Sequence, residues 1–135
     1  DQTKAVRWAL NNLKGIETIH ILGATGGRAD HTIGNTSLLM EYTRMFDLKN
    51  ITIEMVSDDG TIFPINDTIE FECGPERSIS IFTPDNSLRI RSEGLMYPTD
   101  DVVFDNWWKA TLNKTVQDNV RLELSHRSIA LIMLD

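Results

Sequence analysis

Hydrophobic positions follow two different periods along this 135-residue chain. From Thr3 to Lys14, Val6, Ala9, Leu10 and Leu13 recur at helical spacing and Gly15 follows as a stop, which predicts an amphipathic helix. The run IETIHIL (16–22) is β-branched and apolar, short enough for a buried strand. After a glycine-rich turn, Leu38, Leu39, Tyr42, Met45 and Phe46 again recur at i+3, i+4 and i+7, so Asp30 to Phe46 reads as a second helix. ITIEMVS (51–57) reads as another strand. Helix, strand, helix, strand is the order of an α/β unit with parallel strands.

Beyond residue 57 the period changes to two, and no convincing helix follows. TIFPI, TIEFEC, SISIFT, LRIRSE, VRLELS and SIALIML are short strand-like runs. Asp59-Gly60, Asn66-Asp67, Gly74-Pro75 and Pro84-Asp85-Asn86 mark turns between them. In VRLELS, Val120, Leu122 and Leu124 face one way and Arg121 and Glu123 the other, the alternation of an antiparallel sandwich or barrel. The expected fold class is α/β followed by all-β. A partial Rossmann-like parallel α/β part would occupy residues 1–57, and a C-terminal antiparallel β-sandwich residues 58–135.

Composition narrows the function classes. A formal net charge of −7 argues against broad binding to nucleic acid or anionic membranes, which asks for a basic patch. It leaves room for a small anion held by one arginine and backbone amides. No apolar run reaches the ~18 residues of a membrane span. Cys73 is the single cysteine, so no internal disulfide forms, and it reads as a half-buried strand residue in a reducing, cytoplasmic setting. The chain starts at Asp1 without an initiator methionine or signal peptide, as a fragment or processed chain does.

The densest chemistry is GATGGRADHTIGN (23–35), between a predicted strand and a predicted helix. The first amides of a helix are unpaired and its dipole is positive there. Glycines let a phosphate approach those amides closely, and Arg28 adds a charge-assisted contact. Three readings compete. Asp30 could be a plain N-cap beside a surface His31. Gly23, Gly26 and Ala29 approximate a dinucleotide fingerprint, although the strand is not the first element and no further βαβ unit follows. The third reading is a phosphate or nucleotide site using Arg28 and Asp30. A Walker A loop is excluded, because no G-K-[ST] follows the glycines.

GATGGRADHTIGNTSLL closely resembles the G-A-x-G-G-R-x-D-H-x-x-x-N-x-x-L-L segment of thiamin pyrophosphokinases. DQTKAV resembles that family's T-D-x-x-K-A-L opening, with Asp1 and Lys4 on the acidic and lysine positions. GLMYPTDD (94–101) resembles its G-L-K-Y/W-P-L segment, and TLNKT (111–115) its degenerate S-N-E-F region. The resemblance implies a nucleotide-handling α/β domain followed by a β-sandwich. It implies transfer of the pyrophosphoryl group of ATP to thiamin with Mg²⁺, in a homodimer with thiamin bound between subunits. By matching position, Gly26, Gly27, Arg28, His31 and Asn35 would hold ATP phosphates, and Asp30 with Arg28 would be catalytic. Tyr97, Thr111 and Asn113 would contact thiamin, Tyr97 by stacking on its pyrimidine ring, and Asp1 is the candidate metal ligand.

Three departures accompany the likeness. Leu112 stands where the degenerate motif has serine, and Lys114-Thr115 replaces its acidic-aromatic pair. The family's upstream G-D-x-D-S metal motif is not in these residues, as in a fragment of a longer enzyme or a truncated, non-catalytic thiamin-binding module. Asp58-Asp59 and Asp100-Asp101 read as solvated turn carboxylates. Trp107 and Trp108 read as a partner surface or a second stacking platform; on a strand at most one of the two would meet a ligand.

Overall fold

The computed structural model describes residues 2–135. Helix α1 (Gln2–Asn12) buries Val6 with Leu10 partly covered beside it, and the chain leaves it through Gly15 at φ +71°. Leu13 falls beyond the helix and is exposed, so the apolar stripe is one residue shorter than its spacing predicts. Strand β1 (Thr18–Leu22) leads into α2 (Ala29–Met45), which buries Leu39, Met40 and Tyr42. The Tyr42 hydroxyl, deep between the helices, shares a 2.8 Å hydrogen bond with Thr3 Oγ1 and accepts one of 3.2 Å from Gln2 Nε2. A buried phenol with its oxygen satisfied in this way locks α1 onto α2.

Strands β2 (Thr52–Ser57), β3 (Gly60–Ile65), β4 (Ile69–Glu72), β5 (Ser78–Phe82) and β6 (Ile90–Glu93) follow. A 3₁₀ turn (Trp107–Ala110) precedes β7 (Asn113–Lys114), β8 (Asn119–Leu124) and β9 (Ala130–Leu134). Two sheets result: a six-stranded sheet in the order β1-β2-β3-β9-β5-β7, and a three-stranded one, β4-β8-β6. Among the described residues only β1 and β2 run parallel, with Leu22 opposite Val56, and the other strand pairings are antiparallel. The fold class is the expected one, α/β followed by antiparallel β.

The two parts share one sheet, which turns at the tight β2–β3 hairpin. There a Cβ on Gly60 would stand 2.5 Å from the Leu134 carbonyl oxygen, so only glycine fits. One face of the large sheet packs against the helices and the other against the small sheet. SIALIML reads as a continuous apolar run because β9 lies in the middle. Ala130, Ile132 and Leu134 enter the core between the sheets, while Ile129 and Leu131 join Leu39, Tyr42, Ile53 and Met55 beneath the helices. A strand covered on both faces loses the polar alternation of a half-exposed one.

Three expectations are corrected. IETIHIL is not a buried strand: β1 is an edge strand whose side chains alternate between exposed and half-buried, with Leu22 72% exposed. Among the described residues its sole strand neighbour is β2, so its length and composition misrepresent its cover. The second expectation concerned Trp107 and Trp108, which lie on a 3₁₀ turn, so the alternation of a strand does not apply to them. The third is Asp30 as N-cap: α2 begins at Ala29, and Arg28 holds the cap position with no side-chain cap bond. No helix among the described residues is long and apolar enough to cross a membrane.

Candidate functional site

The glycine turn sits where topology alone would put a site. Because β1 and β2 are parallel and in register, the residues that follow Leu22 and Val56 emerge at the same sheet edge. That edge, at the carboxyl ends of parallel strands, is the usual ligand position in α/β sheets. Gly23 (φ +71°) and Gly26 (φ +86°) bend the chain back, and a side chain on Gly26 or Gly27 would point into open space. The turn is therefore open to a ligand above it rather than filled by protein.

Arg28 and Asp30 face each other across the first turn of α2. Arg28 Nε donates to Asp30 Oδ1 (3.1 Å) and its terminal nitrogen to Oδ2 (2.8 Å), a two-pronged pair at the solvent surface. The backbone N–H of His31 also donates to Asp30 Oδ1 (2.8 Å). These bonds, the Arg28 bond foremost, hold the Asp30 carboxyl below the usual carboxylate range. Asn35, one turn further along, donates from Nδ2 to the Ala24 carbonyl at 3.1 Å and so ties the turn to the helix. Gly26, Gly27, Arg28, Asp30, His31 and Asn35 are thus one local unit. His31 is among the residues lining an open groove between α1, β1 and α2.

The sandwich residues form a second unit. Tyr97 is 62% exposed, and its backbone is gripped by Asn113: Tyr97 N–H donates to Oδ1 (3.0 Å) and Asn113 Nδ2 donates to Tyr97 O (2.7 Å). Asn113 is buried and also accepts from the Lys114 N–H at 2.8 Å, which leaves its amide little capacity for a ligand. Thr111 turns its hydroxyl to the Trp108 carbonyl (2.8 Å). Neither cavity beside the glycine turn is lined by Tyr97, Thr111 or Asn113. Asp1 lies outside the described residues. Among those described, no group of three or more His, Cys, Asp or Glu is placed to hold a metal ion.

One feature was missed in the sequence. Ser57 and Asp59, at the β2–β3 hairpin, line a cavity of about 410 Å³ together with Gly26 and Trp107. The parallel register of β1 and β2 was the signal that could have located it, since it carries the hairpin to the same edge as the glycines.

Two family models match this chain. The catalytic domain of thiamin pyrophosphokinase matches residues 1–53, and its substrate-binding domain residues 60–130. The chain belongs to the thiamin pyrophosphokinase family. It is 39% identical over 83 residues to thiamine pyrophosphokinase 1 of Oryza sativa subsp. japonica, a stretch covering 58% of this chain and 29% of that protein. Thiamine pyrophosphokinase from Bacillus subtilis superposes with a TM-score of 0.80 at 24% identity, over all of this chain and 62% of the other. The family enzyme from Geobacillus thermodenitrificans gives 0.76 at 21% identity, over 100% and 61%. The chain therefore spans less than two thirds of the relatives it matches.

Proposed function

We propose that this chain carries out the family reaction, transfer of the pyrophosphoryl group of ATP to the hydroxyl of thiamin, giving thiamin diphosphate and AMP. The observation that supports it best is the open glycine turn with Arg28 and Asp30 at the start of α2. Nucleotide handling is assigned to residues 1–57 and thiamin binding to residues 58–135.

Arg28 and Asp30 neutralise one another. A phosphate arriving over Gly26 and Gly27 competes for the guanidinium, which grips two phosphate oxygens as readily as two carboxylate oxygens. Asp30 then loses the bond that most lowers its pKa and becomes more basic. It orients the thiamin hydroxyl and accepts its proton as the oxygen attacks the β-phosphorus. The bond from that phosphorus to the bridging oxygen of the α-phosphate breaks, and AMP leaves. Phosphoryl transfer rests mainly on positioning and charge neutralisation, which suits a site of so few groups. His31 orients, and Asn35 holds the turn in shape.

Mg²⁺ is the cofactor the family likeness implies. The described residues do not form a magnesium site on their own, since both Asp30 oxygens are engaged by Arg28. Thiamin stacks on Tyr97, and a second copy of the chain closes that site in a homodimer whose surface includes the exposed Trp108 and Leu112. The single free thiol, Cys73, fits a cytoplasmic setting. Incubating the chain with Mg-ATP, with and without thiamin, tests the reading: AMP and thiamin diphosphate should rise together. Thiamin binding with no nucleotide turnover would instead make the chain a binding module.

A further inference from the structure

Ser125, His126 and Asp85 are hydrogen-bonded in series on the loops that follow β8 and β5. His126 Nδ1 lies 3.0 Å from Ser125 Oγ, and its Nε2 lies 2.9 Å from Asp85 Oδ2. Ser125 is held against the residue before β6: its N–H donates to the Arg89 carbonyl (2.9 Å), and the Arg89 N–H donates to Ser125 Oγ (3.0 Å). Ser125 and His126 are both exposed, so a small molecule reaches them.

These bonds place the protons. Asp85 Oδ1 accepts from the Ser87 N–H and hydroxyl, and Oδ2 from the Ser128 hydroxyl, so its carboxylate acts as an acceptor throughout. In neutral His126 the proton therefore sits on Nε2, facing Asp85, and Nδ1 keeps its lone pair. The Ser125 hydroxyl donates to that lone pair. Oγ takes one bond from the Arg89 N–H, which leaves its second lone pair for attack. Nucleophile, base and orienting carboxylate thus stand in the order that acyl-transfer sites require. The His126 N–H donates to no acceptor among the described residues, and the amide following a nucleophile is an oxyanion donor in such sites.

We infer that Ser125 is an acyl-accepting nucleophile, with His126 as its general base and Asp85 positioning the imidazole, and that this site hydrolyses small esters of good leaving groups. It shares no residue with the glycine turn and stands independently of the reaction proposed above. Ser125 Oγ attacks the ester carbonyl carbon as its proton passes to His126 Nδ1. The bond to the alcohol oxygen breaks, and that oxygen leaves with the proton from Nδ1. Water then attacks the acyl-serine, giving a proton to the same nitrogen; the acid departs and Oγ recovers its hydrogen.

The test incubates the full chain with p-nitrophenyl acetate, follows release of p-nitrophenol, and maps adducts by mass spectrometry after acid quenching. Release should begin with a burst, and one acetyl group should map to Ser125. Ser125→Ala should lose both while staying folded by circular dichroism. His126→Gln should slow acylation about a hundredfold, the low end of what a positioned general base contributes. Asp85→Asn reads the positioning through the proton itself. The Ser87 N–H keeps the amide oxygen in the place of Oδ1, so the amide nitrogen faces Nε2. Imidazole ¹⁵N spectra should then show the His126 proton moved from Nε2 to Nδ1, with acylation lost in the folded variant. Equal release by wild type and Ser125→Ala, or an acetyl group found on a lysine in place of Ser125, would overturn the inference. Neutral wild-type His126 protonated on Nδ1 would overturn it too.

Discussion

Arg28 and Asp30 are two residues apart and bonded to each other, so substitutions at either report on different things. Arg28→Ala removes the guanidinium that a phosphate would take over, and the KM for ATP should rise far more than the Kd for thiamin. Equal losses would mean that the arginine merely shapes the turn. Asp30→Asn keeps the helix, because Asp30 is not its cap and lies at the surface. Loss of its charge near the helix start removes only a solvent-screened interaction with the helix dipole. Its Tm should barely move while turnover falls steeply, and an early-melting variant would instead reveal a structural carboxylate. The motif around these residues was legible because its chemistry is local. That the two side chains satisfy each other was not, since spacing does not say which rotamers meet.

Asn113 shows how an element changes a residue's meaning. Its side chain bridges β7 to the segment carrying Tyr97, bonding both backbone polar groups of that residue. Asn113→Ala leaves those groups without their partner in a part-buried place, which costs about 1–3 kcal/mol. The Tm should fall by the corresponding amount, and thiamin affinity should fall with it as Tyr97 loses its fixed position. Asn113→Asp keeps the acceptor oxygen, so it should recover part of the stability. Full stability in the alanine variant with lost thiamin binding would point to direct contact instead. The 3₁₀ turn at Trp107–Ala110 is a similar case: four residues are too few for a period to be read, and the edge-to-face contact of Trp107 with Phe82 joins residues 25 positions apart.

At the scale of the molecule, one polar cluster ties the sandwich loops together. Asp85, after β5, accepts hydrogen bonds from the Ser87 hydroxyl (2.6 Å) and N–H (3.0 Å), the Ser128 hydroxyl (2.7 Å) and His126 Nε2 (2.9 Å). Ser87 foremost, then Ser128 and His126, hold its carboxyl far below its ordinary value of 3.8. The folded state therefore resists protonating this group more than the unfolded chain does. Its stabilising contribution is complete above the ordinary value and is lost as pH falls below it. The urea midpoint should drop more between about pH 6 and about pH 3 in the wild type than in Asp85→Asn, which cannot titrate there. Parallel declines in the two proteins would show that other carboxylates govern acid unfolding.

Hydrophobic period, turn residues and the glycine motif determined the two-part order of elements, the fold class and the place of a glycine-rich turn before α2. Those features depend on neighbours two to four positions away, which any linear reading contains. Only the tertiary structure decided that β1 is an edge and β9 the shared centre of two cores. It also brought Asp59, Phe82, Trp107 and Met133 to the lining of one cavity that Gly26 shares. Such neighbours are tens of residues apart, and they meet because strand order and register, set by burial on both faces of one sheet, leave each strand end a single place.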